Sequence, residues 1–340
     1  MLPKAPQNPA RRIGRRKFLK YALAAGGTAG AVLAANEFIR RFAGRKATFI
    51  ARLRSYQDDL RGYILAGFKE LGITSEQLAA KTILLKPNLV EPHLGVSHIN
   101  THPLVVKAAV EAFLHLGAKS VTVAEGPGHR RDWYLILEES GYSEILSEDK
   151  APFIDLNTAA VTPVKNLGRY SGLRQLVVPR LVQDADVIVS MPKMKTHHWV
   201  GATLAMKNMF GIMPGPYYGW PKNVLHFEGV NETILDINTS VKAHLAIVDG
   251  IVGMQGDGPI MGTPVESNVI VIGRNFPAVD ATCARIMGLN PRRIAYLTTA
   301  SRRLGPIRES LIEQRGETLA SVRKDFELVD KIPAHKGIRL

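Results

Sequence analysis

Residues 187–198 read Val-Ile-Val-Ser-Met-Pro-Lys-Met-Lys-Thr-His-His. The first five are apolar or small, and three are β-branched. Such a run predicts a short strand buried on both faces. Pro192 interrupts it, and Lys193, Lys195 and His197 then fall at alternate positions. If the chain stays extended there, these three side chains share one face. Two ammonium groups and an imidazole on one face meet either solvent or an anion. Met191, Pro192 and Met194 beside them favour a lined pocket.

The same pattern recurs along the chain. Thr82–Leu85 runs into Lys86-Pro87-Asn88, and Ser120–Ala124 runs into Glu125-Gly126-Pro127-Gly128-His129. Leu245–Val248 runs into Asp249-Gly250. Val177–Val178 and Val269–Ile272 are two further candidate strands. Amphipathic stretches at 103–116, 132–140, 230–242 and 278–287 lie between them and predict helices. Pro103 near the start and Gly117 at the end frame the clearest one. Residues 47–80 read as mixed helices. The expected fold is α/β, a mainly parallel sheet with helices on both faces and a ligand site at the strand C-terminal ends.

Composition bounds the alternatives. Of 340 residues, 46% are hydrophobic and 22% charged, which excludes disorder as a description of the whole chain. The net charge of +14 suggests nucleic acid until it is located. Residues 1–46 hold 11 Lys and Arg against Glu37, so +10 of it; the other 294 residues carry +4. A nearly neutral body without a basic stripe argues against a nucleic-acid partner. Cys283 is the only cysteine, so no intrachain disulfide and no cysteine-based metal or iron–sulfur site is expected. It sits in an apolar run and reads as a small buried hydrophobe.

The basic segment has its own pattern. Arg15-Arg16-Lys17-Phe18-Leu19-Lys20 precedes an apolar stretch over 21–35, too short for an ordinary spanning helix. It resembles a twin-arginine export signal, with Gly14 where Ser or Thr is usual. That resemblance implies the twin-arginine translocase as a partner and an exported protein, periplasmic or held to the membrane by an uncleaved signal. The expected organisation is a signal and flank over 1–46, an α/β domain over 47–300 and a C-terminal extension over 301–340.

Two more features concern chemistry. The stretch 201–229 is rich in Gly, Pro, Met and aromatics and reads as a functional loop or lid, with a plain packing insertion as the alternative. Lys207-Asn208 lies inside it in an apolar context that lowers a lysine's pKa, as a proton-transfer base requires. His93, His98 and His102, with His197, His198 and His226, supply imidazoles for a relay, but their spacings match no metal motif. No metal ligand set is assigned, and no nucleotide phosphate loop is present.

Several ordered motifs carry a wider resemblance: Thr82–Asn88, Thr101-His102-Pro103, Val123-Ala124-Glu125-Gly126, Val189–His197, Ala205–Gly211, Val248-Asp249-Gly250 and Pro277–Ala281. Together they are similar to the family catalogued as domain of unknown function 362. The resemblance implies an α/β domain often found beside ferredoxin-like iron–sulfur modules. This chain lacks the cysteines for a cluster, so a redox partner would have to supply one. The resulting expectation is an exported enzyme acting on a small anionic substrate, its cofactor unknown. Lys207 and His197 are the candidate catalytic groups; Lys86, Asn88, Glu125, Lys193, Lys195, Asn208 and Asp249 are the candidate binding groups. The alternative is a non-catalytic accessory protein for an iron–sulfur or redox partner, which predicts an exposed apolar patch around Met209–Trp220.

Overall fold

Strand Thr82–Pro87 shows how the sheet is buried. Ile83 and Leu85 join one hydrophobic core and Leu84 joins another. Leu245 and Ile247 alternate with Ala246 and Val248, and Ile270 and Ile272 with Val269 and Val271, in the same way. Successive side chains of a strand point to opposite faces, so the sheet divides two cores. Helices Leu60–Glu70 and Pro103–His115 fill the first core, and Val230–Ser240 and Phe276–Ile286 fill the second.

The computed structural model describes residues 45–129, 132–148 and 151–340. The expected signal segment lies outside the described residues. Among the described residues twelve strands are numbered in chain order: β1 (Lys46–Arg52), β2 (Thr82–Pro87), β3 (Ser120–Glu125), β4 (Phe153–Asp155), β5 (Val161–Lys165), β6 (Gln175–Pro179), β7 (Val187–Met191), β8 (Lys193–His197), β9 (Gly201–Thr203), β10 (Leu245–Gln255), β11 (Thr263–Gly273) and β12 (Ile312–Gly316). The main sheet has the order β12-β1-β11-β10-β7-β2-β3-β4, with β8 paired to β10 and β9 to β8. Strands β10, β7, β2, β3 and β4 pair in parallel. Strand β11 is antiparallel to both its neighbours, β1 and β10. The result is the expected mainly parallel α/β sheet covered on both faces, with β5 and β6 forming a separate hairpin sheet.

Local chemistry sets the helix ends. Pro103 opens its helix where a missing N–H costs nothing, and His102 Nδ1 accepts from Leu104 N at 3.3 Å. Asp132 caps Trp133–Glu139 through Tyr134 N at 2.8 Å. Asn275 caps Phe276–Ile286 through Ala278 N, with Pro277 in the first turn.

Three expectations change. The segment 47–80 opens with strand β1 rather than a helix; β1 pairs with β11 and β12. The C-terminal residues 301–340 pack into the same compact unit, which spans Lys46–Leu340. They supply edge strand β12 and the fully buried Phe326. Strand β10 runs on to Gln255, so Asp249 lies inside a strand rather than at its end. A bulge between Gly250 and Val252 separates its two halves.

Candidate functional site

The parallel strands end at a cavity of about 380 Å³. Lys86 and Asn88 reach it from β2, Glu125 and Gly126 from β3, and Lys195 and His197 from β8. Its other walls come from Thr203, Lys207, Asn208, Phe210 and Gly211, and from Pro221, Lys222 and His226. Four lysines therefore surround a space whose lining includes one carboxylate, Glu125.

Lys86 and Glu125 form the pair at the cavity's base. Lys86 Nζ donates to Glu125 Oε2 at 2.6 Å, to Pro87 O at 2.8 Å and to Asn208 Oδ1 at 3.1 Å. Both side chains are buried. Asn208 is locked in turn, because its Nδ2 donates to Lys86 O and Ser190 Oγ at 3.0 Å each. Gly211 lies so close that a Cβ there would fall on Glu125 and Lys86. Burial lowers the Lys86 pKa, and the Glu125 carboxylate opposes that fall.

Two more lysines are held by backbone carbonyls. Lys195 Nζ donates to Ile99 O at 2.9 Å and Pro259 O at 3.0 Å. Lys222 Nζ donates to Gly126 O at 2.6 Å and to Phe210 O and Gly211 O at 3.2 Å. Burial pushes Lys195 well below its ordinary pKa, helped by the ammonium groups of Lys193 and Lys207. Burial brings Lys222 down to about 7 against the pull of Glu125.

Lys207 differs from these three. Its Nζ sits 4.1 Å from the Phe210 ring centroid. It makes no hydrogen bond or ion pair among the described residues. Burial, then the neighbouring Lys86, lowers its pKa to about 8. The same helix, Ala205–Asn208, is anchored at its start by Asp280, whose carboxylate accepts from Ala205 N at 2.8 Å and Met206 N at 3.1 Å. The helix thus holds Lys207 and Asn208 at fixed positions.

Two of the lining imidazoles, His197 and His226, are held in the neutral form. Burial, with Lys207 second, holds His197 well below its usual pKa and His226 at about 4. His197 Nδ1 accepts from Trp199 N at 3.1 Å, which places its ring proton on Nε2. His226 packs edge-on to Trp199, ring centroids 4.6 Å apart. Of the lining, Asn88 Oδ1 and Thr203 Oγ1 are buried with no hydrogen-bond partner among the described residues, and His129 Nδ1, buried likewise, faces the Glu91 carboxylate at 2.9 Å. Buried polar atoms are usually satisfied, so Asn88 Oδ1 and Thr203 Oγ1 mark where a ligand would supply a partner.

Seven of the nine sequence candidates meet here: Lys86, Asn88, Glu125, Lys195, His197, Lys207 and Asn208. Lys193 and Asp249 do not line the cavity. Lys193 Nζ turns to Asp249 Oδ2 at 2.5 Å, Tyr56 OH at 3.0 Å and Val252 O at 3.2 Å. Tyr56 stacks on His102 at 3.7 Å and also donates to Asp249 Oδ1. Pairing β8 with β10 at Asp249↔Lys193 brings the two charges together inside the protein instead. His93 and His102 line a separate cleft and do not join His197 and His226.

The sequence reading passed over Lys222, Thr203, Phe210 and Trp199. Lys222 carried a usable signal, as an isolated lysine inside the apolar stretch 201–229. In that stretch Met206, Met209, Ile212 and Met213 are fully buried, and it forms a wall of the cavity. Cys283 is buried in helix Phe276–Ile286, where burial raises its thiol pKa well above the ordinary value. One buried thiol cannot hold an iron–sulfur cluster.

Comparison with known proteins follows the same region. A family model described as a domain of unknown function (DUF362) matches residues 83–285. The thylakoid-associated protein sll1697 of Synechocystis sp. is 27% identical over 277 residues, which cover 76% of this chain and 80% of that protein. A solved protein of Thermotoga maritima aligns with 17% identity and a TM-score of 0.41, covering 66% of this chain and 58% of that one. The lactate racemase apoprotein of Thermoanaerobacterium thermosaccharolyticum aligns with 15% identity and a TM-score of 0.43, covering 73% and 58%. This chain therefore spans 58% of the length of each of those two structures. The family match covers β2 through most of helix Phe276–Ile286, and with it the residues that bring the strand-end lysines together; the chain belongs to the domain of unknown function 362 family.

Proposed function

We propose that the protein is an enzyme that binds a small anion in this cavity and moves a proton there with Lys207 and His197. The observation that carries the reading is the grouping of Lys86, Lys195, Lys207 and Lys222 around one space with Glu125 as the lining carboxylate. Glu125 is already engaged by Lys86 Nζ, Leu89 N and Gly126 N, so it offsets only part of that charge. An entering carboxylate or phosphate would complete the balance as a point-charge partner. Lys207, lowered to about 8, then has a proton to give or take near neutral pH, and His197 offers Nε2–H.

The accessory reading asked for an exposed apolar surface at Met209–Trp220. Met209, Ile212 and Met213 are buried there, while Tyr217 within the stretch and Val224 and Phe227 just beyond it are exposed. The cavity reading is therefore preferred. Export by the twin-arginine route is part of the same proposal, on the strength of Arg15-Arg16-Lys17-Phe18-Leu19. Replacing both arginines by lysine, R15K/R16K, is expected to leave the protein in the cytoplasmic fraction; unchanged export would refute that part.

The test of the cavity is a thermal-shift screen with small carboxylates and inorganic phosphate. At least one is expected to raise the melting temperature of the wild type, and Lys207→Met to lose most of that rise. If no small anion shifts the wild type, the reading is wrong.

A further inference from the structure

We propose that Lys207 is a nucleophile, and that the cavity takes a small carboxylate bearing an aldehyde or ketone group, held as an imine on Lys207 Nζ. The inference rests on the reading of the cavity as an anion site and goes beyond it in naming the reacting group.

The four cavity lysines are not equivalent. Lys86 spends its Nζ on one carboxylate, one carbonyl and one amide oxygen. Lys195 spends its own on two carbonyls and Lys222 on three. These three are fixed donors, suited to creating a positive field and not to attacking a carbon. Lys207 alone among them has no acceptor among the described residues. Its Nζ lies over the Phe210 ring at 4.1 Å and its side chain is only half-buried, so a molecule in the cavity can reach it. A ring face gives an ammonium group only about 0.5–2 kcal/mol, less than a buried carboxylate would, so little holds the amine in its charged form. Burial and the Lys86 charge act in the same direction and bring its pKa to about 8. Amines desolvated beside a second cation are the ones that attack carbonyl carbons near neutral pH.

The surroundings supply what the reaction needs. The lone pair of Nζ forms an N–C bond as the carbonyl π bond breaks, giving a carbinolamine. A proton moves from nitrogen to oxygen, the C–O bond breaks, and water leaves as the C=N bond forms. The amine loses two hydrogens, both to the water; no oxidant or reductant takes part. Thr203 Oγ1, 3% exposed and without a partner among the described residues, lines the same cavity and can donate to the carbonyl oxygen. His197, neutral with its proton on Nε2, can donate a hydrogen bond to the leaving oxygen while the amine supplies both protons. Lys86 and Lys222, their N–H groups all engaged, contribute positive field, and Lys195 keeps one N–H beyond its two carbonyl acceptors for the carboxylate.

The test uses the full chain with pyruvate or glyoxylate and a borohydride reductant, read by intact mass and peptide mapping. A single reduced adduct that maps to Lys207 is expected, and it should be absent from Lys207→Arg. Mapping the wild type locates the adduct even if the variant misfolds. Lactate, which has no carbonyl to attack, serves as the parallel binding probe in a thermal-shift assay. If lactate or pyruvate raises the melting temperature and no adduct forms at Lys207, the inference is wrong while the anion site stands. If adducts spread over many lysines and persist in Lys207→Arg, the inference is also wrong. If neither probe shifts the protein or forms an adduct while inorganic phosphate does shift it, the inference is wrong and the anion site stands; if no small anion shifts it, the anion-site reading fails as well.

Discussion

Asp249→Ala is expected to cost about 3–5 kcal/mol of folding stability. Lys193 and Asp249 are both fully buried, 2.5 Å apart. Asp249 also accepts from Tyr56 OH at 3.1 Å and from the backbone N–H of His102 at 2.9 Å. One carboxylate therefore ties β10 to β8, to the Tyr56 turn and to the start of helix Pro103–His115. Without it, the Lys193 ammonium keeps only Tyr56 OH and Val252 O as acceptors. Burial already lowers the Lys193 pKa, and Asp249 opposes that fall. In the variant the lysine is expected to shed its proton, which limits the loss to a few kcal/mol. Replacing both partners, Asp249→Leu with Lys193→Met, should recover much of the stability, because no buried charge is left alone. Urea denaturation of the two singles and the double checks this. A single variant within 1 kcal/mol of wild type would show that the pair is not the tie described here.

Anion affinity is expected to fall about 10–100-fold between pH 6 and pH 9, at about tenfold or 1.4 kcal/mol for each positive charge lost. The sign follows from the cavity lysines, all four held below their ordinary pKa by burial, of which Lys222 and Lys207 lose their charge inside this range. At pH 6, Lys222, at about 7, and Lys207, at about 8, are both protonated and attract the ligand. As pH rises through 7 and then 8 each loses its charge, and the cavity loses much of its positive field. His197 and His226 contribute little to this change. Burial holds both below the range, so they are neutral throughout it. Lys207→Met should bind about tenfold more weakly than wild type at pH 6 and show the smaller pH dependence of Lys222 alone.

The parts of this architecture legible in the sequence were those with a local cause. Strands β2, β3 and β7 are apolar runs buried on both faces, and each breaks into polar residues where it leaves the sheet. Lys86, Glu125 and Lys195 could be placed at one end of the sheet for that reason. Strand β12 could not, because it lies at the sheet edge and its residues Ile-Glu-Gln-Arg-Gly carry no apolar run. Strand β1 was hidden for a different reason: seven residues ahead of a helix gave too short a pattern to read against it. Lys193 was misplaced because alternation along an extended segment gives a face and not a partner. Asp249, brought opposite by the register of β10, decides where that ammonium goes. Lys222 is 2% exposed and reaches the cavity from a turn with φ +68°, a position that no periodicity announces. Thr203 looked ordinary because an unpartnered hydroxyl becomes visible only once its surroundings are folded.

The most direct test is calorimetric titration of the best small anion from the thermal-shift screen into wild type and Lys207→Met, each at pH 6 and pH 9. Saturable one-site binding that weakens 10–100-fold at pH 9 in the wild type, and by about tenfold at pH 6 in the variant, is the expected result. Equal affinity for both proteins at both pH values would contradict the central claim that these lysines form an anion-binding cavity.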